Sequence, residues 1–288
     1  MFNLPPGLKQ LEQTSAGRDW LQQLPTHVQA CVDRWSLRLD PPYDQSNVSI
    51  VFPGTMADGS PAVLKVQFPH KESEHEAEAL RRWNGEGAVK LFATDPEHHA
   101  LLMERCVPGH HLSAAEPAEA LEVFAQILPR LWIEACEPFV SSFDESAEWI
   151  KDLPLSWERA GRPFEVELLE AAMEAIDTVR RSPGQQVLIH QDLHGDNVLR
   201  ATREPWLVID PKPLAGEREF SLAPIVRSCE FGQSREQALH RLDWLASALR
   251  LDRERARLWS LGQTLAWACE DGQVLPRHVE TARWLWQA

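Results

Sequence analysis

Between Val187 and Leu199 the chain reads VLIHQDLHGDNVL. Apolar residues lead into His190, Asp192, His194, Asp196 and Asn197, and apolar residues close the segment again. The pattern is a strand, a polar loop and a second strand. Further on, Trp206-Leu207-Val208-Ile209 runs into Asp210, so another apolar strand ends in a carboxylate. Oxygen donors placed in such loops and at such strand ends can converge on a hard cation. Mg²⁺ prefers them, with water and substrate phosphates completing its octahedron. The alternation of His190, Asp192, His194 and Asp196 leaves a second chemistry open, since histidine and aspartate together also ligate zinc in hydrolases. A third feature lies upstream. Lys65 stands inside Pro61-Ala62-Val63-Leu64-Lys65-Val66-Gln67-Phe68, and a lysine buried in an apolar strand needs a carboxylate or phosphate partner.

The elements that must position these groups change character along the chain. The first ~35 residues carry Leu8, Leu11, Trp20, Leu21, Leu24 and Val28 at helical spacing. The next ~70 residues have shorter apolar runs with turn signals between them. Val48–Phe52 and Pro61–Phe68 read as strands joined by Ala57-Asp58-Gly59-Ser60, where Gly59 can take positive φ. A short helix over His70–Trp83 is rich in Glu and Ala, and Val89–Phe92 and Ala100–Glu104 are two more strands. After Pro108-Gly109 the pattern is helical over Ala118–Cys136, Glu165–Arg181, Ser234–Arg250, Asp252–Glu270 and His278–Trp286, interrupted by the β-like stretch from Val187 to Pro211. A small strand-rich lobe before a larger helical lobe predicts a two-lobed α+β enzyme with a cleft.

Composition narrows the function classes. The 288 residues are 43% hydrophobic and 25% charged, which is ordinary for a globular enzyme. The net charge of −14 argues against a nucleic-acid surface, which would carry a basic stripe, and is compatible with a cationic substrate. No apolar run approaches the roughly 18 residues that span a bilayer, and Met1–Gln10 has no basic flank or apolar core of a secretory signal. The expected partner is a small molecule, with no membrane and no nucleic acid, and the expected location is the cytoplasm. The five cysteines, Cys31, Cys106, Cys136, Cys229 and Cys269, are scattered without a CxxC pair. That spacing predicts reduced thiols, no disulfide and no structural zinc.

His190-x-Asp192-x-x-x-x-Asn197 resembles the catalytic loop of the kinase superfamily, with Asp210 where the second metal-binding aspartate falls. Val63-Leu64-Lys65, Arg82-Trp83-Asn84-Gly85-Glu86-Gly87-Ala88-Val89, Leu101-Leu102-Met103-Glu104-Arg105 and Ile209-Asp210-Pro211-Lys212-Pro213-Leu214 are similar to the streptomycin 6-kinase and aminoglycoside/hydroxyurea-resistance kinase family. The resemblance runs from about Leu37 to near the C-terminus. It implies a bilobal protein-kinase-like fold and a phosphotransferase that moves the γ-phosphate of ATP to a hydroxyl, with Mg²⁺. It implies Asp192 as the catalytic carboxylate, Asn197 and Asp210 as metal ligands, and Lys65 paired with Glu76 at the α- and β-phosphates. Met103, Glu104 and Cys106 would form the hinge that meets adenine through backbone groups, and His194 takes a phosphate-contacting position. The phosphate loop departs from the kinase pattern: Asp40–Asn47 contains no glycine, and Ser46 and Asn47 are its candidate donors.

These readings divide the chain into an N-terminal helical extension (1–35), a β-rich nucleotide-binding lobe (36–104) and a mostly helical lobe with the catalytic loop and acceptor site (105–288). The first expectation for the acceptor is a streptomycin-type aminoglycoside, and Glu230, Glu270 and Asp271 are its candidate carboxylate contacts. A metabolic kinase for a sugar or amino alcohol uses the same catalytic residues. A metal-dependent hydrolase on the His/Asp cluster and a non-catalytic nucleotide-binding protein are the readings from other classes.

Overall fold

The hairpin at Gly59 sets the first sheet. Gly59 has φ +85°, and Asp58 accepts a hydrogen bond from the Ser60 amide at 2.9 Å. The turn thereby joins β2 (Ser49–Thr55) to β3 (Pro61–Gln67) in antiparallel register, Ile50 opposite Val66 and Val51 opposite Lys65. This computed structural model describes residues 2–270 and 273–288, apart from the side chains of Glu72, Glu270 and Gln273. With β1 (Arg38–Leu39), β4 (Leu91–Asp95) and β5 (Ala100–Glu104), the strands form a five-stranded sheet in the order β1-β2-β3-β5-β4, antiparallel throughout. Lys65 therefore sits mid-sheet, between Val51 and Leu101.

The chain divides into two compact units. The first runs to Gly109 and also takes in Ala201–Arg203; the second comprises His110–Arg200 and Glu204–Ala288. In the first, a 3₁₀ turn over Pro6–Gln13 leads to α1 (Ser15–Trp35), whose N-cap Thr14 accepts from the Gly17 amide at 3.0 Å. The apolar spacing of this segment becomes one buried face. Leu8, Trp20, Leu24, Val28 and Cys31 share a core with Ile50, Phe52, Leu64 and Val66 of the sheet. The N-terminal helix thus packs into the same body as β2 and β3. α2 (Glu76–Trp83) follows β3 and buries Glu76, Ala79, Leu80 and Trp83. Arg203 also belongs here: its guanidinium bonds the Glu104 carboxylate at 2.9 Å and the carbonyls of Gly85 and Ala88 at 2.8 and 2.9 Å.

The second unit contains α3 (Pro117–Leu131), α4 (Ser142–Arg159), α5 (Val166–Arg181), the short strands β6 (Val187–Ile189), β7 (Val198–Arg200), β8 (Trp206–Val208) and β9 (Leu214–Gly216), then α6 (Ala223–Arg227), α7 (Arg235–Leu249), α8 (Arg253–Ala266), the pair β10 (Cys269–Glu270) and β11 (Gln273–Val274), and α9 (Pro276–Trp286). Trp149, Ile176, Val179, Val187, Ile189, Phe220 and Trp259 form one core beneath the short strands. α4 has no counterpart among the sequence expectations. Its buried positions are Ser142, Ser146, Trp149, Leu153 and Trp157: the helical period is present, but two of its inward residues are serines, and Pro154 lies inside the helix. Among the described residues no helix is long and apolar enough to cross a membrane.

Candidate active site

Two ladders of three residues carry the catalytic loop. β6 pairs with β9, Ile189 opposite Leu214, and β7 pairs with β8, Val198 opposite Val208. The second ladder continues one step through the Ile209 amide, which donates to the Asn197 carbonyl at 3.0 Å. Asn197 and Asp210 therefore emerge at the same end of one ladder. His190 ties the two ladders together. Its Nε2 lies 2.8 Å from the Ile209 carbonyl and donates to it, while its own carbonyl accepts from the Lys212 amide at 3.1 Å.

His190 is 2% exposed, and burial pushes its pKa down to about 4, against the opposing pull of the Ile209 carbonyl and of Asp192 and Asp210. It is therefore neutral and structural at neutral pH. An unfolded chain takes up this proton near ~6.5, whereas the folded protein resists until about 4. The unfolded state then binds more protons across that window, so stability falls as pH drops through it, by about 3 kcal/mol at full extent. Urea melts at a series of pH values should show this slope, and His190→Gln should flatten it. An unchanged slope in the variant would assign the acid limb to other groups.

Asp192 follows Gln191, which adopts φ +64°. The two carboxylate oxygens of Asp192 face two cations: Oδ1 accepts from Arg227 Nη2 at 2.9 Å, and Oδ2 lies 3.3 Å from Lys212 Nζ. Burial alone would raise its pKa, but Lys212 and Arg227 outweigh burial and hold it at about 2. Arg227 is itself fixed on three sides, by Asp192, by Gln263 Oε1 at 2.8 Å and by the Trp267 ring, whose centroid is 4.3 Å from the guanidinium carbon. Lys212 lies over the same ring at 5.0 Å. Asn197 Nδ2 donates to the Asp192 carbonyl at 2.9 Å, which turns its Oδ1 the other way. Asp210 is exposed at φ +56°, in the left-handed region that aspartate tolerates. An amide oxygen and a carboxylate at one ladder end are the donor types that a hard divalent cation takes.

Glu230, expected to face an acceptor, is turned onto the catalytic loop instead. It accepts from His194 Nδ1 at 2.7 Å, from the Gly195 amide at 2.6 Å, from the Asp196 amide at 3.2 Å and from Ser228 Oγ at 2.9 Å. Gly195 permits this approach, because a Cβ there would stand 2.7 Å from both Glu230 Oε2 and the Phe231 ring. Burial by itself would raise the Glu230 pKa and lower that of His194. Their mutual hydrogen bond reverses both, taking Glu230 to about 2 and His194 upward. Of the four residues a zinc hydrolase would draw on, two are turned to other partners, while His194 and Asp196 lie with Glu230, their ligand atoms within 4.8 Å of one another. His190 is bonded to Ile209, Asp192 to Lys212 and Arg227, His194 to Glu230, and Asp196 to the Ser113 hydroxyl. The other two acceptor candidates lie outside the described residues, Glu270 by its side chain and Asp271 altogether.

In the first unit, Lys65 and Glu76 come together. Lys65 Nζ lies 2.9 and 2.7 Å from the two Glu76 oxygens, Gln67 also donates to Glu76, and all three side chains are buried. Glu104 has its carboxylate on Arg203 and on the Lys90 amide at 3.0 Å, so its side chain is structural. Met103 is buried in β5. Cys106 is also buried, and burial pushes its thiol up to about 12. Ser46 and Asn47 lie just before β2. Gln10 donates to the Asn47 carbonyl at 3.1 Å, and Gly7 packs close against both residues, so the glycine-free loop is braced by the N-terminal turn. Arg227 went unnoticed in the sequence. Its signal is a single cation closing the apolar run Leu222-Ala223-Pro224-Ile225-Val226, but its partners Asp192 and Gln263 are too distant in the chain to be read from spacing.

Solved structures match this fold at low identity. The choline kinase of Streptococcus pneumoniae matches with a TM-score of 0.62, covering 92% of this chain and 100% of that one at 13% identity. An aminoglycoside phosphotransferase from Alicyclobacillus acidocaldarius matches at 0.53, covering 89% and 90% at 14% identity. The architecture is that of the protein-kinase-like phosphotransferases. Residues 34–277 match the aminoglycoside/hydroxyurea antibiotic resistance kinase family, and the chain belongs to that family. A hydroxyurea phosphotransferase of Kitasatospora aureofaciens is 38% identical over 93% of this chain and 80% of its own length. A streptomycin 6-kinase of Streptomyces griseus is 35% identical over 98% and 96%. The enzyme is a phosphotransferase with a hydroxyl acceptor.

Proposed function

We propose that the protein transfers the γ-phosphate of ATP, with Mg²⁺, to a hydroxyl of a streptomycin-type aminoglycoside. The reaction rests on one observation above the others: Asp192, Asn197 and Asp210 gather around the end of one ladder, with Asn197 bonded to the Asp192 carbonyl at 2.9 Å. Asn197 Oδ1 and Asp210 would hold Mg²⁺, which when bound neutralises phosphate charge. Lys65, oriented by Glu76, would contact the α- and β-phosphates. Asp192 would accept the hydrogen bond of the acceptor hydroxyl. With a pKa held at about 2, it stays ionised at neutral pH and is a weak base. Its work is to orient the hydroxyl; as the acceptor O–P bond forms and the bond to ADP breaks, the proton would pass late to Asp192 and from it to water. A loose phosphoryl-transfer transition state suits this, since it demands positioning and charge stabilisation more than a strong nucleophile. His194, bonded to Glu230, would steady the loop that carries Asp192.

The acceptor reading is supported by the near full-length likeness to a streptomycin 6-kinase and by the net charge of −14. A second reading has its own support in the hydroxyurea phosphotransferase at 38% identity. A panel scored by ADP release separates them. Streptomycin should stimulate turnover, and added salt should raise its KM, because screening weakens attraction between a polycation and acidic groups. Hydroxyurea, neutral sugars and polyols should show almost no salt dependence. Stimulation by hydroxyurea or by an amino alcohol, with none by any aminoglycoside, would overturn the acceptor and leave the phosphotransferase in place.

A further inference from the structure

His27, Cys31, Asp95 and His98 have no part in the phosphotransfer chemistry, yet the fold gathers them. Linear spacing hides the set, because it is two short pairs far apart in the chain: His27-x-x-x-Cys31 on α1 and Asp95-x-x-His98 at the end of β4. Residues four apart on a helix share a face, so α1 presents a thiol and an imidazole together. The turn after β4 presents a carboxylate and a second imidazole. Ligand atoms of Cys31, Asp95 and His98 all lie within 4.8 Å of one another. The His27 ring approaches that of His98 at 5.2 Å between centroids. Cys31 is 0% and Asp95 1% exposed.

Two further observations point to a ligand. His27 Nδ1 is buried and has no hydrogen-bond partner among the described residues, and a buried polar atom without a partner is costly. Asp95 is asymmetrically used. Its Oδ2 takes Arg34 and His98 Nδ1, each at 2.8 Å, whereas among the described residues Oδ1 has only a 3.4 Å approach from the His98 amide. Arg34 thus has the place of an outer partner that orients the carboxylate, as such groups do around metal ligands.

From this we infer a structural metal site for Zn²⁺ or a similar borderline-soft divalent ion, bound by Cys31, Asp95 and His98, with the neighbouring His27 ring as the fourth donor once it turns in. One sulfur, two imidazoles and one carboxylate make a four-coordinate set of the kind that zinc takes, and the thiolate disfavours Mg²⁺ and Ca²⁺. Binding displaces the Cys31 proton. The neighbouring carboxylate and thiolate charges then meet a dication rather than each other. The site clips α1 to the sheet. The family match begins at residue 34, so His27 and Cys31 stand upstream of the matched region.

The test uses the purified full-length protein. After dialysis against excess Zn²⁺ and then metal-free buffer, metal analysis should find about one zinc per chain. The melting temperature should fall by ~5 °C or more when a chelator removes it, because a ligand bound only by the folded state stabilises that state. Co²⁺ added to the stripped protein should give a thiolate-to-cobalt charge-transfer band. Cys31→Ser, nearly isosteric, should lose that band and at least ~10-fold in zinc affinity. The site is overturned if the wild type retains less than a tenth of an equivalent of zinc. It is equally overturned if Cys31→Ser keeps the full zinc content and the cobalt band, since the metal would then sit on another thiol. Neither readout depends on phosphotransfer.

Discussion

Asp192→Asn should lower kcat by at least ~10²-fold, the scale of positioned acid–base and orienting groups. Asparagine keeps the size of the side chain and one oxygen. It loses the negative charge that Arg227 and Lys212 enclose at 2.9 and 3.3 Å, and with it the acceptor that orients the attacking hydroxyl. Nucleotide affinity should change little, because the proposed phosphate and metal contacts fall to Lys65, Asn197 and Asp210. Withdrawing this carboxylate charge from between two cations will also cost stability. The comparison therefore needs kcat at saturating substrate, with a melting curve showing the variant folded at the assay temperature. Turnover at the wild-type level in a folded variant would remove Asp192 from the chemistry. The low pKa adds a constraint: above pH ~4 no step in the rate profile should belong to Asp192, and a step near neutrality that vanishes in Asp192→Asn would contradict the weak-base role.

The second large effect is expected at Glu76. Glu76→Ala strips the buried Lys65 ammonium of a carboxylate that meets it at 2.7 and 2.9 Å and leaves Gln67 without its acceptor. Breaking one side of a buried ion pair costs about 3–5 kcal/mol, because the surviving charge stays desolvated. Replacing both residues with apolar ones of similar size, Lys65→Met with Glu76→Leu, should recover most of that stability, since an apolar pair removes both desolvation penalties. Phosphotransfer should not recover. Denaturant melts of the two singles and the double, with turnover measured beside them, separate the roles. If the double variant regains activity together with stability, Lys65 is only a structural cation.

How far these sites could be read in advance followed the distance between their parts along the chain. His190, Asp192 and Asn197 fall within one loop between two apolar runs, and Asp210 ends the next apolar strand, so local pattern alone exposes them. Lys65 was legible for a thermodynamic reason, as a charge set in an apolar strand. Glu76 was one of four acids on its segment, and what distinguishes it is burial at 1% exposure. Burial comes from how α2 lies on its neighbours, which no spacing rule supplies. The same holds for Arg227 and Glu230. Each reads as an ordinary charge, and each acquires its meaning from a partner some thirty-five residues away. Helix α4 was hidden by chemistry of another kind: serines at two inward positions blurred an apolar face that the structure packs normally.

Arg203 carries a consequence for how the protein is made. Chain emerges from the ribosome in order, at roughly 5–20 residues per second. The sheet, α1 and α2 are complete once Gly109 is out, yet the guanidinium that holds Glu104 and the Gly85 and Ala88 carbonyls lies roughly one hundred residues later. For on the order of 10 s the nascent first unit waits without the Arg203 bonds, the Glu104 carboxylate meanwhile keeping the Lys90 amide. A stalled chain ending near residue 160 should accordingly be more open to protease than one ending near 250, and the difference should disappear in Arg203→Ala. Translation speed over this stretch would then matter to the yield of folded enzyme, and slow codons there would lengthen the interval in which the young sheet lies open to aggregation.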